Sequence, residues 1–176
     1  NVSAKQFADP QLLPSIINAL DETGLSARNL EVEITESFLM HHVEYTRNLL
    51  VQLEKMGVSI AVDDFGTGYS SLAQLKNFPI HTLKIDRSFV RDLVTSESDK
   101  RIVEAVIAMA RHLGIEVIAE GVETVEQKVF LQALGCDKMQ GYLVSPPVEI
   151  ARFEEVAESL RNPPPDPPSV LRVKAS

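Results

Sequence analysis

The sequence predicts an α/β fold in which parallel strands are joined by helical crossovers. Two patterns predict it: short apolar runs alternate with longer segments of helical period, and turn or capping residues separate them at most boundaries. A third observation, an acidic residue at one strand end after another, says where the function would lie.

Asp9-Pro10 reads as an N-cap and first turn before Leu12, Leu13, Ile16, Ile17 and Leu20 at helical spacing, and Gly24 ends that helix. Leu30 to Thr35 reads as a strand. A helix carrying Leu49, Leu50, Leu53 and Met56 stops at Gly57. Val58 to Val62 is the next strand and ends in an Asp63-Asp64-Phe65-Gly66 turn. Ser70 to Phe78 reads as a short helix and Thr82 to Ile85 as a strand. Ile102, Val106, Ala110 and Leu113 mark one face of a longer helix ending at Gly114, before a strand at Val117 to Ala119. Thr124-Val125-Glu126-Gln127 is a capping box that opens a helix running to Gly135. Lys138 to Leu143 is the last expected strand and Ala151 to Arg161 the last helix. Pro163 to Pro168 cannot continue a helix and reads as an exposed tail. Repeated strand–helix units close as a (β/α)8 barrel or open as a doubly wound sheet, and the pattern leaves both. No Gly-x-Gly-x-x-Gly turn supports a dinucleotide fold.

The chain has 176 residues, 44% apolar and 24% charged, an ordinary globular composition with enough length for one sizeable core. The net charge of −8 argues against a basic footprint for nucleic acid. No apolar run is long enough to span a bilayer, and no signal peptide opens the sequence. The single cysteine, Cys136, fits a reducing compartment. Cytoplasm is the expected location, on a parent protein that can be membrane-tethered. The first residue is Asn1 rather than Met, so an N-terminal truncation is expected.

The candidate site is a run of polar residues at strand ends. Glu33 and Glu36 flank the end of the first strand, Asp63 and Asp64 end the second, Lys84 and Asp86 the third, Glu120 and Glu123 the fourth, and Gln140 lies in the fifth. In a barrel of parallel strands these ends converge on one mouth. A ring of carboxylates there suits Mg²⁺ or Mn²⁺. Each residue alone has a plainer explanation: Asp63 and Asp64 as caps, the glutamates as solvated loop charges, Lys84 with Asp86 as a surface ion pair. Their recurrence at five successive strand ends is what favours a site. His41, His42, His81 and His112 lack zinc spacing. Asp64-Phe65-Gly66 matches a kinase triplet without the loops a kinase needs.

At these residues the sequence resembles the EAL family of cyclic di-GMP phosphodiesterases. Asn1 to Phe7, Glu33-Ile34-Thr35-Glu36, the ten residues Asp63 to Leu72, Leu83-Lys84-Ile85-Asp86, Ala119-Glu120-Gly121-Val122-Glu123 and Gln140-Gly141-Tyr142 match its motifs in order. The resemblance implies a TIM-like barrel of the EAL type, truncated here at the N-terminus, spanning residues 1–162 before a tail at 163–176. It implies hydrolysis of cyclic di-GMP to linear pGpG in bacterial second-messenger signalling, with Mg²⁺ or Mn²⁺ as cofactor, two ions being expected. Asn1, Glu33 and Asp63 would be metal ligands, Asp63 bridging, and Asp64 would complete the second site. Glu120 would be a ligand or general base, and Lys84 would hold the attacking water or a phosphate oxygen. Gln140, Glu123 and Asp86 would support the substrate side. Glu36 would anchor the loop containing Gly66 and Gly68, which the family links to dimerisation. A homodimer and a regulatory partner domain, such as GGDEF or a sensor, are the further expectations.

Two features depart from the family pattern. The family's Glu-Ala-Leu motif would fall upstream of Asn1 and is absent from this sequence, and Ser145-Pro146-Pro147 stands where a basic residue usually precedes the proline. The main rival expectation is a receptor module that binds cyclic di-GMP without cleaving it; such receptors typically lose metal ligands, and the only family ligand not seen here is the upstream glutamate. A Mg²⁺-dependent barrel acting on other substrates is a third.

Overall fold

The computed structural model describes residues 1–41, 43–68 and 75–161. Among the described residues there are five strands, β1 (Glu31–Thr35), β2 (Ser59–Phe65), β3 (Thr82–Ile85), β4 (Glu116–Glu120) and β5 (Lys138–Gln140). They form one sheet in which every neighbouring pair is parallel and spatial order equals sequence order. A doubly wound sheet reverses its order at a switch point. This sheet keeps one direction, the winding of a barrel wall.

The fully described α-helices are α1 (Ala4–Phe7), α2 (Leu12–Thr23), α3 (Glu36–His41), α4 (Val43–Met56), α5 (Arg87–Arg91), α6 (Glu97–Leu113), α7 (Val125–Leu134) and α8 (Ile150–Arg161). Glycines in the left-handed conformation end three of them, at Gly24, Gly114 and Gly135, as their positions in the sequence predict. Ser96 and Thr124 cap α6 and α7 through their hydroxyls.

Paired residues of a parallel sheet share a face, so the register sorts the strands into two sides. Val32, Ile34, Ile60, Val62, Leu83 and Val117 lie on one side and are buried in a single core with Leu50 and Leu53 of α4 and Ile107 of α6. Burying one such side chain contributes about 1.5–3 kcal/mol. The other side carries Glu33, Asp63, Thr82, Lys84, Glu116 and Glu120. That side is layered. Near the strand starts, the Thr82 hydroxyl donates to Glu31 at 2.9 Å, and Lys138 pairs with Glu116 at 2.8 Å. Near the strand ends lie the acidic residues of the candidate site.

Several boundaries differ from the sequence expectation. The N-cap of α2 is Gln11; the Asp9 carboxylate accepts from the Gln11 amide at 2.9 Å and so shapes the turn before the helix. β2 runs on through Asp63 and Asp64 to Phe65, where a turn was expected. β5 stops at Gln140, short of Leu143, because the chain folds back there: the Leu143 amide donates to the Val122 carbonyl at 3.0 Å. α1 and α5 are too short to leave a periodic signal. The expected Ser70–Phe78 helix lies mostly outside the described residues, and the Pro163–Pro168 tail wholly so. Among the described residues no helix is long and apolar enough to cross a membrane.

Candidate active site at the strand ends

Lys84 is the centre of the site. Its side chain is buried on the polar face of β3, and its Nζ lies 2.7 Å from Glu120, 3.0 Å from Glu33 and 3.3 Å from Asp63. Four adjacent strands therefore present one charged group each to a single point. Burial alone would push the ammonium pKa down, but hydrogen bonds to Glu120 and Glu33 outweigh burial, and the net shift is upward. Lys84 is therefore a fixed cation at neutral pH.

One positive charge does not balance its surroundings. Burial raises the pKa of Glu120, Lys84 opposes that shift, and the charges of Asp63 and Glu33 add to it. Burial also raises Asp64, with the charges of Asp63 and Asp86 next in effect. The ability of Asp64 to approach both carboxylates comes from a bulge. Between the pairs Val62–Leu83 and Phe65–Ile85, β2 contains one residue more than β3. Asp64 takes up that extra residue at φ 54°, the left-handed region that aspartate tolerates better than most side chains. Without the bulge, Asp63 and Asp64 would point to opposite faces of the sheet.

Asp86 does not share a strand face with Lys84 as its spacing suggested. β3 ends at Ile85, and Asp86 is the N-cap of α5, accepting from the Ser88 amide at 2.9 Å and from the Ser88 hydroxyl. Burial works against its carboxylate, but the Ser88 hydrogen bonds outweigh it and hold the pKa low. Glu36 opens α3 and is almost fully buried. Its Oε2 accepts from the Gly66 amide at 2.7 Å and the Gly68 amide at 3.3 Å, which ties the chain after β2 to the end of β1. A Cβ on Gly68 would come within 3.0 Å of Glu36 Oε1. Among the described residues Oε1 itself takes no hydrogen bond.

Gln140 pairs in register with Glu120 but is exposed, and Glu123 is exposed in the loop after β4. Asn1 is exposed at the rim. The next residue fixes it there, since the Val2 amide donates to the Glu33 carbonyl at 2.9 Å and α1 buries Phe7. The structure thus brings together Glu33, Asp63, Lys84 and Glu120, sets Asp64 between Asp63 and Asp86, and leaves Asn1, Gln140 and Glu123 around the edge.

The donor chemistry fits a hard divalent cation, since the groups are carboxylate oxygens with neither thiolate nor imidazole among them. Among the described residues no three acidic, histidine or cysteine side chains stand ready as a ligand set. The Lys84 ammonium occupies the point where the Glu33, Asp63 and Glu120 oxygens converge. The negative charge left over beside it, at Asp63 and Asp64, is what a cation would neutralise. Asn1, Glu33, Asp63, Asp64 and Glu120 are the residues that would hold it.

A singly wound parallel sheet with an acidic cluster at its C-terminal ends defines a barrel-type domain with its site at the barrel mouth. The chain belongs to the EAL domain family, whose model matches residues 1–147. It is 45% identical over 161 residues to the cyclic di-GMP phosphodiesterase NbdA of Pseudomonas aeruginosa, covering 92% of this chain and 21% of NbdA. The structure of the PaMucR phosphodiesterase in complex with c-di-GMP superposes with a TM-score of 0.84 at 45% identity, over 86% of this chain and 62% of that one. BlrP1 of Klebsiella pneumoniae, in its manganese and cyclic di-GMP complex at pH 9.0, gives a TM-score of 0.75 at 35% identity, over 81% of this chain and 36% of that one. The chain therefore spans about a fifth of the curated relative and less than two thirds of these structures. The expected α/β fold, a TIM-like barrel of the EAL type, holds, with this chain supplying part of it.

Proposed function

We propose that the protein carrying this chain hydrolyses cyclic di-GMP to linear pGpG with the help of divalent metal. The observation that carries the proposal is the convergence of Glu33, Asp63 and Glu120 on Lys84 at the ends of four adjacent strands. The names of NbdA and of the PaMucR complex support the substrate, and the manganese complex of BlrP1 supports the metal. Two ions, Mg²⁺ or Mn²⁺, held by Asn1, Glu33, Asp63, Asp64 and Glu120 would lower the pKa of a bound water and neutralise charge on the phosphodiester.

The protein groups have separable tasks. Lys84 supplies a permanent positive charge that orients a water or a phosphate oxygen, and its three carboxylate partners restrain its direction. Where Glu120 is not itself a ligand, it is the carboxylate placed to take a proton from the attacking water, burial raising its pKa. Glu123 and Gln140 flank it, and Asp86 shapes the loop after β3. Glu36 holds Gly66 and Gly68, so that the loop after β2 and the ends of β1 and β2 move as one. A homodimer, a regulatory partner domain and a cytoplasmic site of action complete the proposal.

The test is incubation of the purified natural protein with cyclic di-GMP and Mn²⁺, followed by chromatography. Accumulation of pGpG that EDTA abolishes is the expected result. Tight binding without cleavage would replace the enzyme with a receptor.

A further inference from the structure

Gln127 is buried in the first turn of α7, and all four hydrogen-bonding positions of its carboxamide are used. Oε1 accepts from the Glu123 amide at 2.7 Å and the Thr124 amide at 2.9 Å. Nε2 donates to the Val90 carbonyl at 3.0 Å and the Arg91 carbonyl at 3.3 Å. The first pair belongs to a capping box, a role that glutamate fills equally well. The second pair is unnecessary for a cap. It adds an acceptor use to the Val90 carbonyl, which the amides after α5 also reach, and bonds the Arg91 carbonyl at the end of that helix.

Both ends of this clasp hang from the site. The N-cap of α5 is Asp86, two residues after Lys84, and the loop to α7 follows Glu120, the last residue of β4. The two segments also touch directly: a Cβ on Gly121, at φ 69°, would lie 2.7 Å from Arg87 Cβ. On the far side, Val122 exchanges backbone hydrogen bonds with Gln140 and Leu143, each 3.0 Å long. The loop from Glu120 to Thr124 is therefore gripped from both sides, and Gln127 is the side chain that joins it to the β3 side.

We infer that Gln127 is a positioning residue: by clasping the loop after β4 to the end of α5, it sets Glu120 against the Lys84 ammonium. The inference rests on the phosphodiesterase proposal for its kinetic consequence, but its structural consequence stands apart. Gln127→Glu keeps the cap and turns a carboxylate oxygen toward the Val90 and Arg91 carbonyls, which opens only the clasp. Gln127→Met opens the clasp without adding charge but also removes the acceptor that the Glu123 and Thr124 amides use.

The experiment compares both variants with the natural protein by steady-state kinetics and by amide hydrogen exchange. In each variant kcat should fall about 10- to 100-fold, the scale of a misplacement near 1 Å, with KM for cyclic di-GMP held within about twofold. Exchange should quicken at Asp86–Ser88 and at Glu120–Val122, neither of which Gln127 touches. A cap-only role would leave the Gln127→Glu protein with normal kcat and normal exchange in both segments, and that result overturns the inference. If the natural protein does not cleave cyclic di-GMP, the functional proposal fails and the exchange pattern alone decides the clasp. Should Gln127→Glu not fold, Gln127→Met decides by Asp86–Ser88 alone, because losing the cap also loosens the loop after β4: normal exchange at Asp86–Ser88 overturns the inference and faster exchange there supports it.

Discussion

Replacing Lys84 with Met keeps most of the side-chain volume and removes the charge that three carboxylates share. The three ion pairs this breaks measure 2.7, 3.0 and 3.3 Å, and they join a side chain that is 6% exposed to partners that are 16–21% exposed. Removing one partner of a buried ion pair costs about 3–5 kcal/mol. The carboxylates keep some water here, so the lower figure, about 3 kcal/mol, is expected in EDTA. At about 2–4 °C per kcal/mol for a domain of this size, Tm should fall by roughly 6–12 °C. Because the Lys84 pKa is raised above its ordinary value of 10.5, this contribution is complete below that pH and lost as pH rises through the higher folded value. The difference between the two proteins should stay flat from neutral pH to about 10 and close only in stronger alkali. Mn²⁺ should then stabilise Lys84→Met more than the natural protein, since a metal replaces the missing cation, while turnover stays low. Scanning calorimetry with and without Mn²⁺ reads both stability effects, and a turnover assay reads the third. An unchanged Tm in EDTA, or an equal Mn²⁺ response, would refute the reasoning.

Other predictions separate the parts of the site. Glu36→Ala should lower turnover by loosening the loop at Gly66 and Gly68, whereas Glu33→Ala should reduce Mn²⁺ affinity measured by calorimetry much further; equal losses would make Glu36 a ligand. Asp64→Asn removes a carboxylate whose pKa burial and Asp63 hold up. It should raise the metal-free Tm by about 1 °C, a surface-scale effect, while weakening Mn²⁺ binding. Gly141→Ala would place a Cβ 2.2 Å from the Val122 carbonyl oxygen, a clash with backbone that cannot rotate away, and should cost about 1–3 kcal/mol in urea unfolding. Gly24→Ala meets nothing within 4 Å and carries only the left-handed strain of about 1–2 kcal/mol; hydrogen exchange of the loop after β4 tells the two apart, since only Gly141→Ala should disturb it.

Much of this was legible in the sequence because strand, helix and charge obey separate periods. The apolar alternation of Val32 with Ile34 and of Val117 with Ala119 places Glu33 and Glu120 on the opposite face, and the capping glycines mark the helix ends. What escaped depends on contacts between distant segments. The bulge at Asp64 is set by how β2 pairs with β3, and in sequence Asp63-Asp64 before Phe65-Gly66 looks like a turn. Asp86 reads as a partner of Lys84 two residues away, because nothing local shows that β3 stops at Ile85. The second half of the Gln127 clasp is invisible for the same reason: a capping-box glutamine announces Thr124, while Val90 and Arg91 lie 37 and 36 positions earlier. The choice between a closed barrel and a doubly wound sheet was left open by the pattern, and the unreversed order of pairing among the described strands favours the barrel winding.

The most direct test of a metal-dependent phosphodiesterase site is turnover of cyclic di-GMP by the natural protein beside its Asp63→Asn variant, each with Mn²⁺ and with EDTA. Asp63 lies between Lys84 and Asp64, so loss of its charge reaches both the ammonium and the second acidic group without changing side-chain size. Such a site predicts pGpG from the natural protein with Mn²⁺, none in EDTA, and a loss of at least about 100-fold in kcat for Asp63→Asn, the scale on which electrostatic stabilisation acts. Hydrolysis by Asp63→Asn at the natural rate, or hydrolysis by either protein in EDTA, would contradict it.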